Sequence, residues 1–360
     1  MVVRMRTKTV DDMNRSFQYG LGIRLQLDDF SVVQFKSETK KGVLASKFNM
    51  PNGVHNYTLR DLPKVLKAKY LGNIEREESS IFTATVADVF IVVIPSRVTV
   101  VDPIYLTQQL KNGAVACKIV IVAKKNSKAT IMINRSSLEK TYGLTTTVSV
   151  IVESEAELSI ISVENYNHNT FVFNTMSSQV GEQGTLSVVA VLGGGKVHYH
   201  HATTSLVGRG SKVNHNVVFY NKNQQFDVLT EAIHDAQGTS STLLSRGVVE
   251  NGKAIAQGKV VIGKKGSQAQ GKQRVDLLLL DEKAQGEAIP ILEVHNDDVS
   301  CQHGSTISRI NAEQLYYVQS RGIALAQARK LLTKGFLGEL LIDVPQAILT
   351  EMQGILEGKQ

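Results

Sequence analysis

Tryptophan is missing from this sequence, and cysteine occurs twice and proline six times in 360 residues. Two cysteines do not make a disulfide framework, which fits a reducing cytoplasm. Long apolar runs are missing too. "VFIVVI" at residues 89–94 falls far short of the roughly 20 residues that span a bilayer. The opening "MVVRMRTKTVDD" carries basic residues but no apolar stretch, so no secretory signal is expected. Aromatic residues are scarce at 6%, and no RNP, zinc-finger or helix-turn-helix signature accompanies the net charge of +7. Lysine and arginine are spread along the chain apart from doublets such as Lys124–Lys125 and Lys264–Lys265. A solvated basic face is the expectation, with no nucleic-acid partner and no membrane.

What is present falls into three textures. Residues 1–80 are mixed, with turns at "SETKKG" and "NMPNG" and a short helix expected over residues 58–72, ended by Gly72. Over 81–308, runs rich in valine, isoleucine and threonine recur about every ten residues, separated by Gly, Asn, Asp or Lys; "CKIVIVAKK", "TLSVVAVLGGG" and "KVNHNVVFYNK" are examples. This predicts an all-β array. A sandwich, a closed barrel and a β-helix all remain open. The length of the array and the rarity of the Asn-Gly and Asp-Gly pairs that tight hairpins favour suit a solenoid, although no strict sequence period is visible.

From 309 to 360 the pattern turns helical. "NAEQLYYVQSRG" opens with Asn311 as N-cap and closes on Gly322. Helices are expected over 324–336 and 337–358, the second interrupted at Pro345. Leu325, Ala328, Leu331 and Leu332 form one apolar stripe with Phe336 beyond it, a candidate partner-binding surface.

Candidate chemistry is sparse. Cys301 and His303 stand two apart, so they share one side of an extended segment. They supply two ligands at most, where a structural zinc takes four, so a metal site and a buried thiol beside a hydrogen-bonded histidine both stay open. In "KVHYHHATT", His198 and His200 share a strand face and His201 points away. That is half of a metal site at best, or simply a polar face. "LGGGK" lacks the phosphate-loop frame, and no G-x-S-x-G elbow is present. Glycoside cleavage needs paired carboxylates facing one groove; Asp297 and Asp298 are adjacent and point opposite ways in a strand.

The stretch from about 205 to 336 closely resembles the SufB/SufD family of iron–sulfur cluster assembly proteins. The resemblance rests on "SLVGRGSKVNHNVVFY", "LLLLDEKA", "PILEVHNDDVSCQHGSTISRI" and "EQLYYVQSRGIALAQARKLLTKGF", with a looser match back to about residue 82. It implies a right-handed parallel β-helix with a small C-terminal helical domain, and a non-catalytic scaffold. Family members pair through their β-helices, either with a SufB-like paralogue or with a second copy. They recruit an ABC-type ATPase, SufC, through the C-terminal helices, and a transient iron–sulfur cluster forms at the pairing interface. Where SufB-like members carry a cysteine, this chain has Lys283; where they carry a glutamate, it has His303. Both departures imply the SufD-like branch, with His303 and Cys301 at a shared iron–sulfur site. No flavin motif is legible. The rival reading is a carbohydrate-active enzyme built on a β-helix.

Overall fold

Runs of ten residues rich in β-branched side chains, each closed by a turn, stack here as parallel strands rather than folding back as hairpins. The computed structural model describes residues 17–18, 24–25, 43–51, 54–58, 88–138 and 141–341, with 344, 349, 354 and 355 beyond them. Strands β1 (Phe17–Gln18) and β2 (Arg24–Leu25) form an isolated antiparallel pair, and β3 (Val43–Asn49) and β4 (His55–Thr58) follow. The array proper runs through β5 (Asp88–Ile94), β6 (Ile104–Ala123), β7 (Lys128–Ser137), β8 (Thr141–Val152), β9 (Glu157–Tyr166), β10 (Phe171–Val180) and β11 (Thr185–Gly194). It continues through β12 (Val197–Leu206), β13 (Lys212–Lys222), β14 (Gln225–His234), β15 (Ser240–Glu250) and β16 (Lys253–Ile262). It ends with β17 (Ala269–Leu279), β18 (Gln285–Val294) and β19 (Val299–Arg309).

The pairing settles the architecture. Strands two apart in the chain lie side by side: β8 pairs β10, β10 pairs β12 and so on to β18, all parallel. The odd strands from β7 to β19 do the same in a second sheet. β6 serves both sheets, bending at Gly113, whose φ of 65° suits glycine. The result is a parallel β-solenoid of sixteen strand segments in about eight turns. Gly143 lies beside Phe171, Phe171 beside Val197, Val197 beside Gln225 and Gln225 beside Lys253. The structural repeat is therefore about 28 residues. It leaves no sequence period because one coil binds the next through its backbone.

One corner shows how. Arg97, Asn126, Glu155, Gln183, Gly210, Gly238 and Gln268 each take a positive φ between 53° and 67°. Each donates its backbone N–H to a carbonyl in the next coil, from Lys125 O for Arg97 through to Asp298 O for Gln268, at 2.6 to 3.1 Å. Left-handed backbone in four charged or amide residues other than asparagine costs about 1–2 kcal/mol each. The inter-coil bonds offset it.

The core fills the lumen between the sheets. Inward positions alternate along each strand, so the same register position in successive coils makes a column of stacked side chains. Val188, Leu186, Ile160 and Leu158 belong to one such buried cluster. The outer face of the second sheet is also covered: Met132, Ile161, Val191, Val218 and Val248 pack against Leu337, Leu341 and Ile355 of the C-terminal segment.

That segment comprises α1 (Ala312–Ser320), α2 (Leu325–Gly338) and a 3-10 turn (Glu339–Leu341). Asn311 caps α1, accepting from the Glu313 and Gln314 amides, and Gly322 takes a φ of 84° just beyond it. The helix break expected between 336 and 337 is absent, because α2 runs on to Gly338 with Leu337 buried in the face that meets the sheet. Pro345 and the helix expected over 58–72, save Thr58 at the end of β4, lie outside the described residues. Among the described residues no helix is long and apolar enough to cross a membrane.

Gly247 shows how closely the coils approach. A Cβ there would sit 2.0 Å from the Phe219 ring, itself fully buried in the coil before. Gly247→Ala is expected to lower stability by about 1–3 kcal/mol through overpacking. A double-mutant cycle with Phe219→Leu, read from urea midpoints, should return a clearly favourable coupling; additive effects would contradict this contact.

Candidate functional site

Among the described residues, two places concentrate groups that can hold metal or sulfur. The first is the last coil. β18 and β19 pair on one side with β16 and β17, and among the described residues no strand covers their other edge. The first coil differs: β3 lies antiparallel on β6, and β4 on β5. One end of the solenoid is thus covered and the other presents free backbone donors and acceptors.

Cys301 and His303 lie on that open edge. Ile160, Val188, His215, Leu243, Gln273 and His303 share one register column in successive coils, and the first five are buried in the lumen. Leu186, Val213, Ser241, Gly271 and Cys301 form the neighbouring column. Both side chains therefore continue lumen-facing positions, on the one side that their spacing predicts they share. His303 is exposed and Cys301 half-buried because no further coil lies on them. Burial pushes the Cys301 thiol up, with a backbone hydrogen bond at Gly271 pulling the other way. A Cβ on Gly271 would lie 3.5 Å from the sulfur.

The second place is inside. On the second sheet Gln108, Arg135 and Glu164 stack in one column; on the first, Cys117, Thr146, Asn174 and His200 do. Arg135 meets Glu164 at 3.1 Å and Gln108 at 3.2 Å. The other Glu164 oxygen, Oε2, lies 3.3 Å from His198 Nε2 and accepts from Tyr166 Oη at 3.4 Å and from the Asn174 amide. All of these side chains are nearly or fully buried. Burial alone raises the Glu164 carboxyl, but the His198 hydrogen bond and the Arg135 charge outweigh it and bring it down to about 2. Burial lowers His200 to about 4 and His215 to about 3. Among the described residues, Glu164, His198 and His200 form one group whose ligand atoms lie within 4.8 Å of each other.

Sequence reasoning placed His198 and His200 on one face and His201 on the other, and the structure agrees: His201 pairs with Asp227 at 3.0 Å, away from the cluster. It missed Glu164, Arg135 and Asn174. Period-2 alternation puts Glu164 inward from Leu158 and Ile160, but nothing local reveals that it meets a histidine 34 residues on. The glycines of "LGGGK" serve the backbone: Gly194 has a φ of 73°, and a Cβ there would lie 1.7 Å from Tyr166 O. Lys283 sits in the turn after β17, its amide donating to Asp281. Of the apolar helix residues, Leu325 and Leu331 are exposed and Leu332 is half-buried, while Phe336 packs under the Arg246 guanidinium, 5.2 Å from the ring centre. Tyr316 and Tyr317 on α1 are more exposed still, at 75% and 60%.

Comparison with known proteins converges on one family. The profile described as "SUF system FeS cluster assembly, SufBD core domain" matches residues 105–336, which hold most of the solenoid and nearly all of α2. Proteins named "Iron-sulfur cluster assembly SufBD family protein" from Staphylococcus epidermidis, Staphylococcus haemolyticus and Staphylococcus aureus are each 31% identical over 212 residues. The match covers 58% of this chain and 46% of each relative, so the chain spans about half the length of the relatives it matches.

The buried imidazoles make stability depend on pH. His200 and His234 are held at about 4 and His215 at about 3, against an ordinary 6.5. Unfolding therefore takes up protons between those values, so the stability present above pH 6.5 is lost as pH falls through about 4. Glu164, at about 2 against 4.5, adds a second loss at lower pH. The urea midpoint is expected to fall steadily from pH 7 to 4, and His215→Asn should flatten that limb. A midpoint independent of pH over that range would refute the assignment.

Proposed function

This chain belongs to the SufBD family of SUF-system iron–sulfur cluster assembly proteins, and we propose that within it the molecule is a SufD-like scaffold whose open last coil pairs with a second β-solenoid. The observation that carries this is the bare edge of β18 and β19, with Cys301 and His303 at its lumen-facing positions. A long uncovered strand edge is a template for a further strand, and proteins that do not use such an edge usually blunt it. The opposite end is blunted, by β3 and β4.

The same geometry explains why a partner is needed. A cluster takes about four protein ligands, and Cys301 with His303 offers two. A facing coil supplies the rest without any rearrangement of this chain. Imidazole nitrogen and thiolate sulfur both suit iron, and the Cys301 thiol, held up by burial, gives its proton as metal arrives. The cluster is cargo, built and handed on. The absence of a cysteine at Lys283 supports a SufB-like paralogue as partner over a second copy, because the pair then still contains the sulfur-accepting thiol that family members of that branch carry. No catalytic step is assigned to this chain itself.

The ATPase-docking surface is assigned to Tyr316, Tyr317, Leu325 and Leu331, the exposed apolar side chains of α1 and α2. Leu332 borders them, and Phe336 anchors the helix to the sheet. Deleting the helices would bare the apolar outer face of the second sheet, so point substitutions are the cleaner probe. Leu331→Glu is expected to weaken capture of the ABC-type ATPase at least tenfold with the melting temperature unchanged. Undiminished capture by Leu331→Glu together with Tyr316→Ala would sink this assignment.

His303→Ala should fold normally, since an exposed imidazole contributes well under about 1 kcal/mol. It should still pair with its partner, yet the reconstituted complex should hold less iron and acid-labile sulfide, with Cys301→Ala the milder change. Full cluster content in His303→Ala would remove the edge site from the proposal.

A further inference from the structure

We propose that Glu164, His198 and His200 form a second, interior site for one divalent transition-metal ion, separate from the open edge and not dependent on it. The three ligand atoms lie within 4.8 Å of each other, close enough to converge on one ion after small side-chain rotations. Two imidazoles and a carboxylate, leaving open positions, are a donor set suited to ferrous iron, zinc or cobalt.

A purely structural network explains part of this cluster and leaves part unexplained. Arg135 and Glu164 neutralise each other, with Gln108 and Asn174 hydrogen-bonded to the pair, although Arg135 Nη2 has no hydrogen-bond partner among the described residues. His200 does not belong to it. Among the described residues neither of its ring nitrogens has a hydrogen-bond partner, and the residue is 6% exposed. Leaving such groups buried and unsatisfied costs about 1–3 kcal/mol each. An ion bound to one nitrogen removes one of these two costs, and it needs the neutral ring that burial enforces.

The groups that would orient these ligands are also in place. Arg135 grips Glu164 through Oε1 at 3.1 Å, leaving Oε2 on the side of His198. His198 Nδ1 lies 3.4 Å from Gly194 O, which orients Nε2 toward the carboxylate. Metal-bound histidines commonly have their second nitrogen held by a carbonyl in this way, and bound carboxylates are themselves hydrogen-bonded. Asn174 Oδ1, also without a partner, is in the same cluster. The Arg135 charge lowers affinity for a cation, so the site should be selective for ions that favour imidazole nitrogen and should not hold magnesium or calcium.

The experiment uses the full chain carrying Cys301→Ala and His303→Ala, which removes the edge ligands from the count. Cobalt(II) is added anaerobically and followed until uptake stops, because the site is enclosed. The expected result is one equivalent per chain, visible ligand-field bands, and an X-ray absorption first shell of nitrogen and oxygen only. A rise in melting temperature should accompany uptake. Adding His200→Asn, or Glu164→Gln should that variant fail to fold by circular dichroism, should abolish the bands and the stabilisation. Failure to retain an equivalent of cobalt, a sulfur scatterer near about 2.3 Å, or uptake unchanged by both substitutions would overturn the proposal. Because the edge ligands are absent throughout, none of these outcomes bears on the pairing surface.

Discussion

Everything in this molecule depends on the backbone hydrogen bonds that join one coil to the next. They run in parallel ladders along both sheets, and they continue round the corner, where residues from Arg97 to Gln268 turn left-handed to donate one more N–H each. A parallel ladder fixes register residue by residue. It therefore fixes which side chains share a column in the lumen, and every property of the interior follows from that.

One column changes character along the axis. Near the first coils it is aliphatic, at Ile131, Ile160 and Val188; farther on it holds His215, Leu243, Gln273 and then His303. A hydrophobic lumen would have been the more stable filling, since each buried polar group must find a partner or cost free energy. The buried Arg135–Glu164 pair is one such group. Buried ion pairs often stabilise less than apolar residues of equal volume, so its presence argues for a use other than stability. So do the orphaned atoms of His200, His215 and Gln273.

The two ends of the solenoid are treated differently, for a reason that the same ladders supply. Any coil that ends a parallel stack leaves a full row of donors and acceptors bare. Here antiparallel strands β3 and β4 cover one end, and the side chains of β18 and β19 at the other are more exposed than those of any coil inside. The apolar outer face of the second sheet meets the same problem sideways, and α2 with its following turn covers it through Leu337 and Leu341, pinned by Arg246.

Taken alone, the sequence determined the local elements. β-branched runs bounded by polar turns became strands, Asn311 started a helix, Gly322 ended it, and strict alternation sent His198 and His200 one way and His201 the other. These are properties of a few neighbouring residues, so composition and spacing carry them. The SufBD resemblance was legible too, in the run from "DDVSCQHG" to "YYVQSRGI". The tertiary structure decided the rest. Stacking at about 28 residues left no sequence period, because backbone groups make the contact and any side chain tolerates it. Glu155, Gln183 and Gln268 gave no sign of a left-handed turn, since their neighbours in the adjacent coil impose it. Glu164 met His198, and Cys301 with His303 came to face the lumen at an uncovered edge, only once the ladders had set the register between coils.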